Sequence, residues 1–132
     1  MLKELDLRVI LRIYLQVKGG VDINAHQWSG DELLRALSAL SNPHRLRIIG
    51  ALADGRNYVS ELARVLGMSR PLLHMHLKKL EAAGLVTGSL ELSEDGKAMR
   101  YFETSGFEIE LNAERISEAV KSLSDTNVGD KE

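Results

Sequence analysis

Two short helical patterns separated by Gly67 constrain this chain more than any other feature of its sequence. The first pattern is "YVSELARVLG" at 58–67, and the second is "MSRPLLHMHLKKLEAAG" at 68–84. In the second pattern leucines recur at positions 73, 77 and 80, which places them on one face of an α-helix. Ser69 is a favourable N-cap for this helix, and a glycine favours its end. The two patterns therefore predict consecutive short helices joined by a tight turn.

The face of the second helix opposite its leucines is polar and cationic. It carries His74, Met75 and Lys78, and Arg70 projects at the N-terminal end. His76 falls among the leucines instead, so we expect an interior histidine with its polar atoms satisfied. A short helix, a glycine turn and a second helix with an open polar face make a helix-turn-helix. The second helix of that motif can enter the major groove of DNA.

The exposed side chains suit the chemistry of a DNA duplex. Arg70 can read guanine through two hydrogen bonds, because its planar fork matches two acceptors. His74 can donate or accept at a base edge, and Met75 can touch a thymine methyl group. The predicted phosphate contacts are Arg64, Lys78, Lys79 and the free backbone N–H groups of helices capped by Ser60 and Ser69.

Basic residues are concentrated in this part of the chain. The net charge is −2, yet residues 43–79 hold seven basic side chains against two acidic ones. Residues 80–132 hold five against twelve, and residues 1–42 are balanced. A basic block in an acidic chain can attract a polyanion while the remainder limits non-specific association. Random clustering on a solvated surface is the alternative.

After Gly84 the periodicity changes to that of β-strands. "LVTGSLELSEDGKAMRYFET" contains two strand-like runs around an Asp95-Gly96 turn, which predicts a hairpin beside the second helix. Lys97 and Arg100 flank its tip and could contact a phosphate backbone or a minor groove. Three acidic side chains in the same hairpin weaken that role, namely Glu91, Glu94 and Asp95.

Further helices are predicted on both sides of this unit. "SGDE" at 29–32 is a capping box that starts a helix to about Leu40, Asn42 caps a helix that Gly55 ends, and Asn112 caps a last helix. The residues predicted to face inward are Leu33, Leu34, Leu37, Leu40, Leu46, Ile49 and Ala53, with Ile48 and Leu52 beside them, and Leu62, Val65 and Leu66 in the short helix. In the last helix, Ile116, Ala119, Val120 and Leu123 form one stripe.

The N-terminal segment has a different pattern. Apolar residues alternate with polar ones from Leu5 to Val17, Gly19-Gly20 follows, and a second alternating run begins at Val21. This pattern favours a β-hairpin. A helix stays open as the alternative, because apolar residues also recur at i, i+4. In either form the segment is too apolar to stand alone in water, so it must pack on the domain or on a second copy.

Several classes of protein are excluded or disfavoured by composition. The chain has no cysteine, which rules out disulfides, thiolate metal sites and a cysteine nucleophile. There is no apolar run of about 18 residues, so no membrane span is expected. Charges interrupt the apolar N-terminus, which does not read as a signal peptide, and we expect a cytoplasmic protein. No motif of a hydrolase, phosphate loop or zinc protease is present, so we expect no enzyme.

Residues 33–104 resemble the ArsR-type winged helix-turn-helix transcriptional regulators. The resemblance is carried by "LSNPHRLRIIGALADG", "VSELARVLGMSRPLLHMHLKKLEAAGLV" and the hairpin after them. It implies a homodimeric, cytoplasmic, prokaryotic DNA-binding protein, usually a repressor, with the hairpin as its wing. The family motif implies that the base contacts are Ser69, Arg70, Leu72, His74 and Met75.

The chain departs from the metal sensors of that family. They often carry a cysteine pair just before the short helix, where residues 57–60 here read "NYVS". Their other site uses carboxylates and histidines on the last helix, which here has Glu114 and Glu118 but no histidine. His74 and His76 point about 200° apart on a helix, so they cannot chelate one ion. We therefore expect no metal and no cofactor, and the sequence does not identify a small-molecule effector.

Taken together, the sequence predicts an α+β, mainly α fold: a winged helix-turn-helix with an N-terminal β-hairpin arm and a C-terminal helix. The arm spans 1–28, the DNA-binding domain 29–106, a strand or helix 107–124, and a frayed tail 125–132. We expect double-stranded DNA as the partner; a protein-interaction module and a non-specific DNA-binding protein are the alternatives. The predicted dimer contacts are Val9, Leu11, Ile13, Leu15, Ile116, Val120 and Leu123.

Overall fold

Five helices and a small antiparallel sheet make up the domain, and a short helical segment at 7–11 precedes it, in a computed structural model that describes residues 6–11 and 27–125. The element order is α1 (Gly30–Leu40), α2 (Pro43–Leu52), β1 (Asn57–Tyr58), α3 (Val59–Leu66), α4 (Arg70–Ala82), β2 (Val86–Leu92), β3 (Ala98–Thr104) and α5 (Ala113–Val120). The sheet order is β1-β3-β2, with both pairs antiparallel. This arrangement confirms the predicted α+β, mainly α winged helix-turn-helix.

Local sequence determines most of the helix ends. Ser29 and Glu32 form the predicted capping box, with N···O distances of 3.1 and 3.0 Å. The Asn42 side chain accepts from the backbone N–H groups of His44 and Arg45. These bonds satisfy donors that the first turn of a helix leaves without a partner. The helix starts at 30 and 43 are therefore confirmed.

The turn of the helix-turn-helix also forms as predicted. Gly67 closes α3 in the left-handed conformation, with φ 62°, which glycine adopts without a steric cost. Ser69 caps α4 by accepting from the backbone N–H of Leu72 at 3.3 Å. The cap predicted at Ser60 is wrong, because β1 runs directly into α3 and the helix already begins at Val59.

The core lies where α2, α3 and α4 meet the base of the hairpin. Its largest fully buried side chains are Ile48, Leu52, Leu62, Leu73, Leu77, Leu80, Leu85 and Val86. Four residues predicted to be interior are exposed instead: Leu34, Leu46, Ala53 and Val65. The helical periodicity agrees with the prediction, but the buried faces of α1, α2 and α3 are centred on other residues than predicted. In α1 the small side chains of Ala36 and Ala39 are buried, because the neighbouring helices approach them closely.

The N-terminal arm differs from the prediction in its described part. Residues 7–11 are helical and not the first strand of a hairpin. Asp6 starts this turn: its side chain accepts from the N–H of Arg8 and its carbonyl accepts from the N–H of Ile10. The Gly19-Gly20 turn, the second run and the frayed end of the tail from 126 lie outside the described residues. Residues 107–111, predicted as strand or helix, form neither.

The two ends of the domain meet where α1 begins and α5 finishes. The backbone N–H of Gly30 donates to the Ser122 hydroxyl at 2.8 Å, and the N–H of Ser124 donates to Asp31 at 2.9 Å. Nearby, the Trp28 indole N–H donates to the Glu108 carbonyl at 2.9 Å. The helices are in such close contact that a Cβ at Gly30 would lie 2.5 Å from the Ala119 carbonyl oxygen.

Replacing Gly30 should therefore destabilise the domain. In Gly30→Ala the new methyl would meet the backbone of α5, and we expect the free energy of unfolding to fall by about 1–3 kcal/mol. Gly50→Ala is the matched control. Nothing lies within 4 Å of a Cβ there, so the better helix former should raise stability by about 0.5–1 kcal/mol. Urea unfolding measures both, and equal effects of the two substitutions would contradict the close contact.

Candidate nucleic-acid interface

Helix α4 has one buried face and one open face. Leu73, Leu77 and Leu80 are at most 1% exposed, because they pack into the core. On the opposite side Arg70, His74, Met75, Lys78 and Lys79 are all exposed. Leu72 lies between the two faces at 36% exposure. The structure thus leaves the candidate base contacts of α4 accessible from outside the domain.

The hairpin brings its basic residues to the start of the same helix. A groove of about 470 Å³ runs between them, with Arg70 and His74 on one wall and Lys97 and Arg100 on the other. Tyr58 and Ser60, at the start of α3, line its end. The two walls come from elements 23 to 30 residues apart in the sequence, and the fold gathers three cationic side chains and His74 around one opening.

One candidate phosphate contact has an internal partner. The Arg64 guanidinium pairs with Glu61 one turn earlier on α3, and its Nε lies 3.0 Å from Glu61 Oε1. The hydrogen bond from Arg64 lowers the pKa of the Glu61 carboxyl. Arg64 is still largely exposed, but it must share its charge between this carboxylate and any phosphate. Lys78 and Lys79 lie on the exposed side of α4.

Two acidic residues of the wing, Glu91 and Asp95, accept side-chain hydrogen bonds that their sequence positions do not reveal. Glu91 pairs through both carboxylate oxygens with Arg56, a residue of the loop before β1. The hydrogen bond from Arg56 lowers the pKa of Glu91. Asp95 accepts from the Ser93 hydroxyl within the tight turn, and this bond lowers the pKa of Asp95. The Arg56 guanidinium therefore offsets the negative charge of Glu91, whereas the neutral Ser93 hydroxyl leaves the charge of Asp95 in place.

The sequence placed Arg56 in the basic block but gave no sign of its pairing with Glu91. Arg56 lies 35 residues from Glu91, and no local pattern links the two. Its guanidinium also lies 4.3 Å from the centre of the Tyr101 ring, which in turn packs edge-on against Tyr58 at 5.9 Å. Only the pairing of β1 with β3 brings these side chains together.

His76 is buried as predicted, but only one of its ring nitrogens has a partner. Its side chain is 4% exposed, and an Arg45 N–H donates to Nδ1 at 3.1 Å. Arg45 is itself held by the Ala39 carbonyl at 2.5 Å. Nε2 is buried without a hydrogen-bond partner. Burial, together with the nearby charges of Arg45, His44 and Lys79, lowers the pKa of the ring.

The predicted dimer contacts fall into two groups. Val9, Leu11, Ile116 and Val120 are between 42% and 56% exposed. Leu123 is partly covered by the start of α1. Ile13 and Leu15 lie outside the described residues. Two short apolar faces, on residues 7–11 and on α5, are therefore open in the single chain.

The described residues offer no evident metal centre. In 6–11 and 27–125 no three histidine, aspartate or glutamate side chains come close enough to hold an ion. Tyr58, in the stretch where the family's metal sensors often carry cysteines, packs on Tyr101. Within the same residues no helix is both long and apolar enough to cross a membrane.

The geometry is that of a winged helix-turn-helix with an open cationic face. Comparisons with known proteins support the winged helix-turn-helix fold. A family model described as "Bacterial regulatory protein, arsR family" matches residues 42–87. The chain is 36% identical over 85 residues to the uncharacterized HTH-type transcriptional regulator MJ0229 of Methanocaldococcus jannaschii, covering 64% of this chain and 88% of that protein. It is 47% identical over 57 residues to the HTH-type transcriptional repressor SmtB of Mycobacterium tuberculosis, covering 43% of this chain and 40% of the repressor.

A solved structure shows the same fold. It is the homodimeric winged helix-turn-helix DNA-binding domain (fragment 1–100) of Mb0332 from Mycobacterium bovis, a possible ArsR-family transcriptional regulator. The TM-score is 0.52 at 23% identity, over 89% of this chain and 82% of that one. The chain belongs to the ArsR-type winged helix-turn-helix transcriptional regulators, as its sequence motifs predicted.

The buried histidine gives this domain a predicted dependence on pH. Because burial lowers the pKa of His76, the folded chain binds a proton there less readily than the unfolded chain, whose pKa is about 6.5. The stabilising effect of the neutral ring is present above that pH and is lost as the pH falls through the lower folded pKa. We expect the free energy of unfolding to fall between pH 7 and 5 more steeply in the wild type than in His76→Gln.

Glutamine can still accept the Arg45 hydrogen bond, so the comparison isolates the titration of the ring. His74→Gln removes an exposed imidazole from the same helix and serves as the matched control. Chemical unfolding at several pH values gives the slopes. Parallel curves for the wild type and His76→Gln would contradict the assignment.

Proposed function

We propose that this regulator is a homodimeric, sequence-specific DNA-binding protein that acts as a cytoplasmic repressor by binding alone, without catalysis or a metal. The observation that carries the proposal is the groove between α4 and the wing, where Arg70 and His74 face Lys97 and Arg100. Four cationic or hydrogen-bonding side chains around one opening suit a polyanionic duplex.

Within this proposal the side chains divide by role. Arg70, His74 and Met75 lie on the exposed side of the first half of α4, which is the half that reaches base edges in a helix-turn-helix. Ser69 and Leu72 belong to the same half, and the Ser69 hydroxyl is already used as the cap. The phosphate contacts are assigned to Arg64, Lys78, Lys79, Lys97 and Arg100.

The proposed dimer would use the apolar faces of residues 7–11 and α5. Val9, Leu11, Ile116 and Val120 are exposed in the single chain, and a second copy related by a two-fold axis would cover them. Two recognition helices would then read a pseudo-palindrome whose half-sites lie about one helical turn, roughly 34 Å, apart.

Substitutions in α4 should separate base reading from phosphate binding. We expect Arg70→Ala to cost about 1–3 kcal/mol of binding free energy and to relax preference at one base position. Lys78→Ala should weaken all sequences alike and reduce the dependence of affinity on salt. The DNA is first selected from genomic fragments with purified protein, and affinities are then measured at several salt concentrations.

Lys121→Ala is the control for loss of one positive charge. Lys121 directly follows α5, which packs against α1, and its side chain pairs with Glu118 of that helix. The DNA affinity of Lys121→Ala should match that of the wild type. If Arg70→Ala bound the selected DNA as tightly as the wild type does, α4 would not be the base-reading helix. The absence of any salt-dependent DNA binding would favour the protein-interaction alternative.

A charged side chain in the proposed interface should separate the subunits. Val120→Glu places a carboxylate where the dimer would bury an apolar side chain, and desolvating it is costly. We expect a shift from dimer to monomer mass in analytical ultracentrifugation. Val65→Glu is the control, since Val65 is equally exposed at 55% but lies on α3. A Val120→Glu variant that kept the dimer mass would move the interface elsewhere.

A further inference from the structure

A cluster of three side chains joins the wing to the loop before the helix-turn-helix. Arg56 Nη2 donates to Glu91 Oε1 at 3.1 Å, and Nη1 pairs with Oε2 of the same carboxylate. On its way to β2 the guanidinium crosses β3 and stacks on the Tyr101 ring. We name Arg56, Tyr101 and Glu91 the wing strap. It runs from the loop before β1 across β3 to β2, on one face of the sheet.

The position of the strap matters because β1 is short. β1 pairs with β3 only at Phe102 and Tyr101, while β2 and β3 continue pairing as far as Leu92 and Ala98. The half of the hairpin nearer its tip therefore has no third strand beside it. Glu91 lies in that half, opposite Met99, so the strap reaches beyond the last backbone pair of β1.

On the other face of the hairpin, the buried side chain lies at the base. There the buried Phe102 ring lies against Gly88, so closely that a Cβ at that glycine would approach a ring carbon to 2.8 Å. Toward the tip the same face carries Leu90 and Leu92, which are 66% and 77% exposed. Core packing thus fixes the base of the wing and leaves the orientation of its tip to other contacts.

A change in the tilt of the hairpin would alter the groove directly. Lys97 and Arg100 belong to the tip half of the wing, and they form one wall of the groove opposite Arg70 and His74. Both walls must keep their spacing if one duplex is to touch both. Preorganised contacts of this kind raise affinity because less ordering is left to occur on binding.

We propose that the wing strap positions the wing for DNA, which makes Arg56 and Glu91 positioning residues for binding. This inference rests on the proposed function. It adds Arg56 and Glu91, to which the proposed function assigns no DNA contact. Arg56 and Glu91 are each 44% exposed, so their pairing adds little to global stability. Their effect is on the orientation of the wing.

The sign of the effect distinguishes positioning from simple charge. Removing a carboxylate from a DNA-binding surface ordinarily raises affinity, because repulsion of the phosphates is reduced. Loss of Glu91 also frees the Arg56 guanidinium, which raises affinity further on charge grounds. If the strap positions the wing, removal of Glu91 must lower affinity despite both effects.

The test compares Glu91→Thr with Glu94→Thr, a substitution of the same type at the exposed tip of the wing. We expect Glu91→Thr to bind the selected DNA about two- to fivefold more weakly, the effect of one well-oriented exposed ion pair. Glu94→Thr should bind as tightly as the wild type or more tightly. A Glu91→Thr variant that matches or exceeds wild-type affinity overturns the inference.

A double-mutant cycle with Arg56→Met then tests whether the two residues act together. If the strap is one unit, Arg56→Met/Glu91→Thr should bind no more weakly than Arg56→Met alone. Independent, multiplicative losses would overturn the inference. Thermal unfolding of each variant checks that the losses do not follow global stability.

A measurement without DNA keeps this inference separate from the proposed function. Backbone ¹⁵N relaxation reports the ordering of residues 93–97 at the tip of the wing. We expect lower order parameters there in Glu91→Thr than in the wild type, and unchanged values overturn the strap. If the wild type binds no DNA, the proposed function fails, while the order parameters still show whether the strap holds the wing.

Discussion

The fold and the exposed surface of this molecule both depend on the burial of one row of leucines on α4. Leu73, Leu77 and Leu80 fill the centre of the core, and the same helix turns its cationic side away from it. Because side chains of a helix have fixed angular positions, anchoring one face also orients the other. The presentation of Arg70 and His74 is thus a consequence of hydrophobic packing on the opposite side. Stability and recognition share one helix without sharing side chains.

The sequence predicted those parts of the fold that depend on local chemistry. Caps at Ser29, Asn42, Ser69 and Asn112 each accept a backbone hydrogen bond, and each could be read from one residue and its neighbours. The cationic face of α4 followed from helical geometry alone. Residues 6–11 show where prediction from local sequence fails. Their apolar spacing fits both a strand and a helix, and capping by Asp6 favours the helix.

Features that depend on contacts between distant residues could not be predicted. The exposure of Leu34 and Leu46 depends on how closely neighbouring helices approach, and small residues such as Ala36 permit an approach that spacing does not reveal. The pairing of Arg56 with Glu91 requires the register of β1 on β3. Acidic residues of the wing therefore looked unfavourable in the sequence, although the fold supplies a partner for one of them.

The single tryptophan gives the molecule a built-in spectroscopic probe. The indole N–H of Trp28 is bonded to the Glu108 carbonyl, in the segment that leads to α5, on the side of the domain where α1 begins. Indole fluorescence will thus respond to events where α1 begins and α5 ends. The groove between α4 and the wing has no indole in its lining. Because Tyr58 lines that groove, excitation selective for the indole keeps the recognition surface out of the signal.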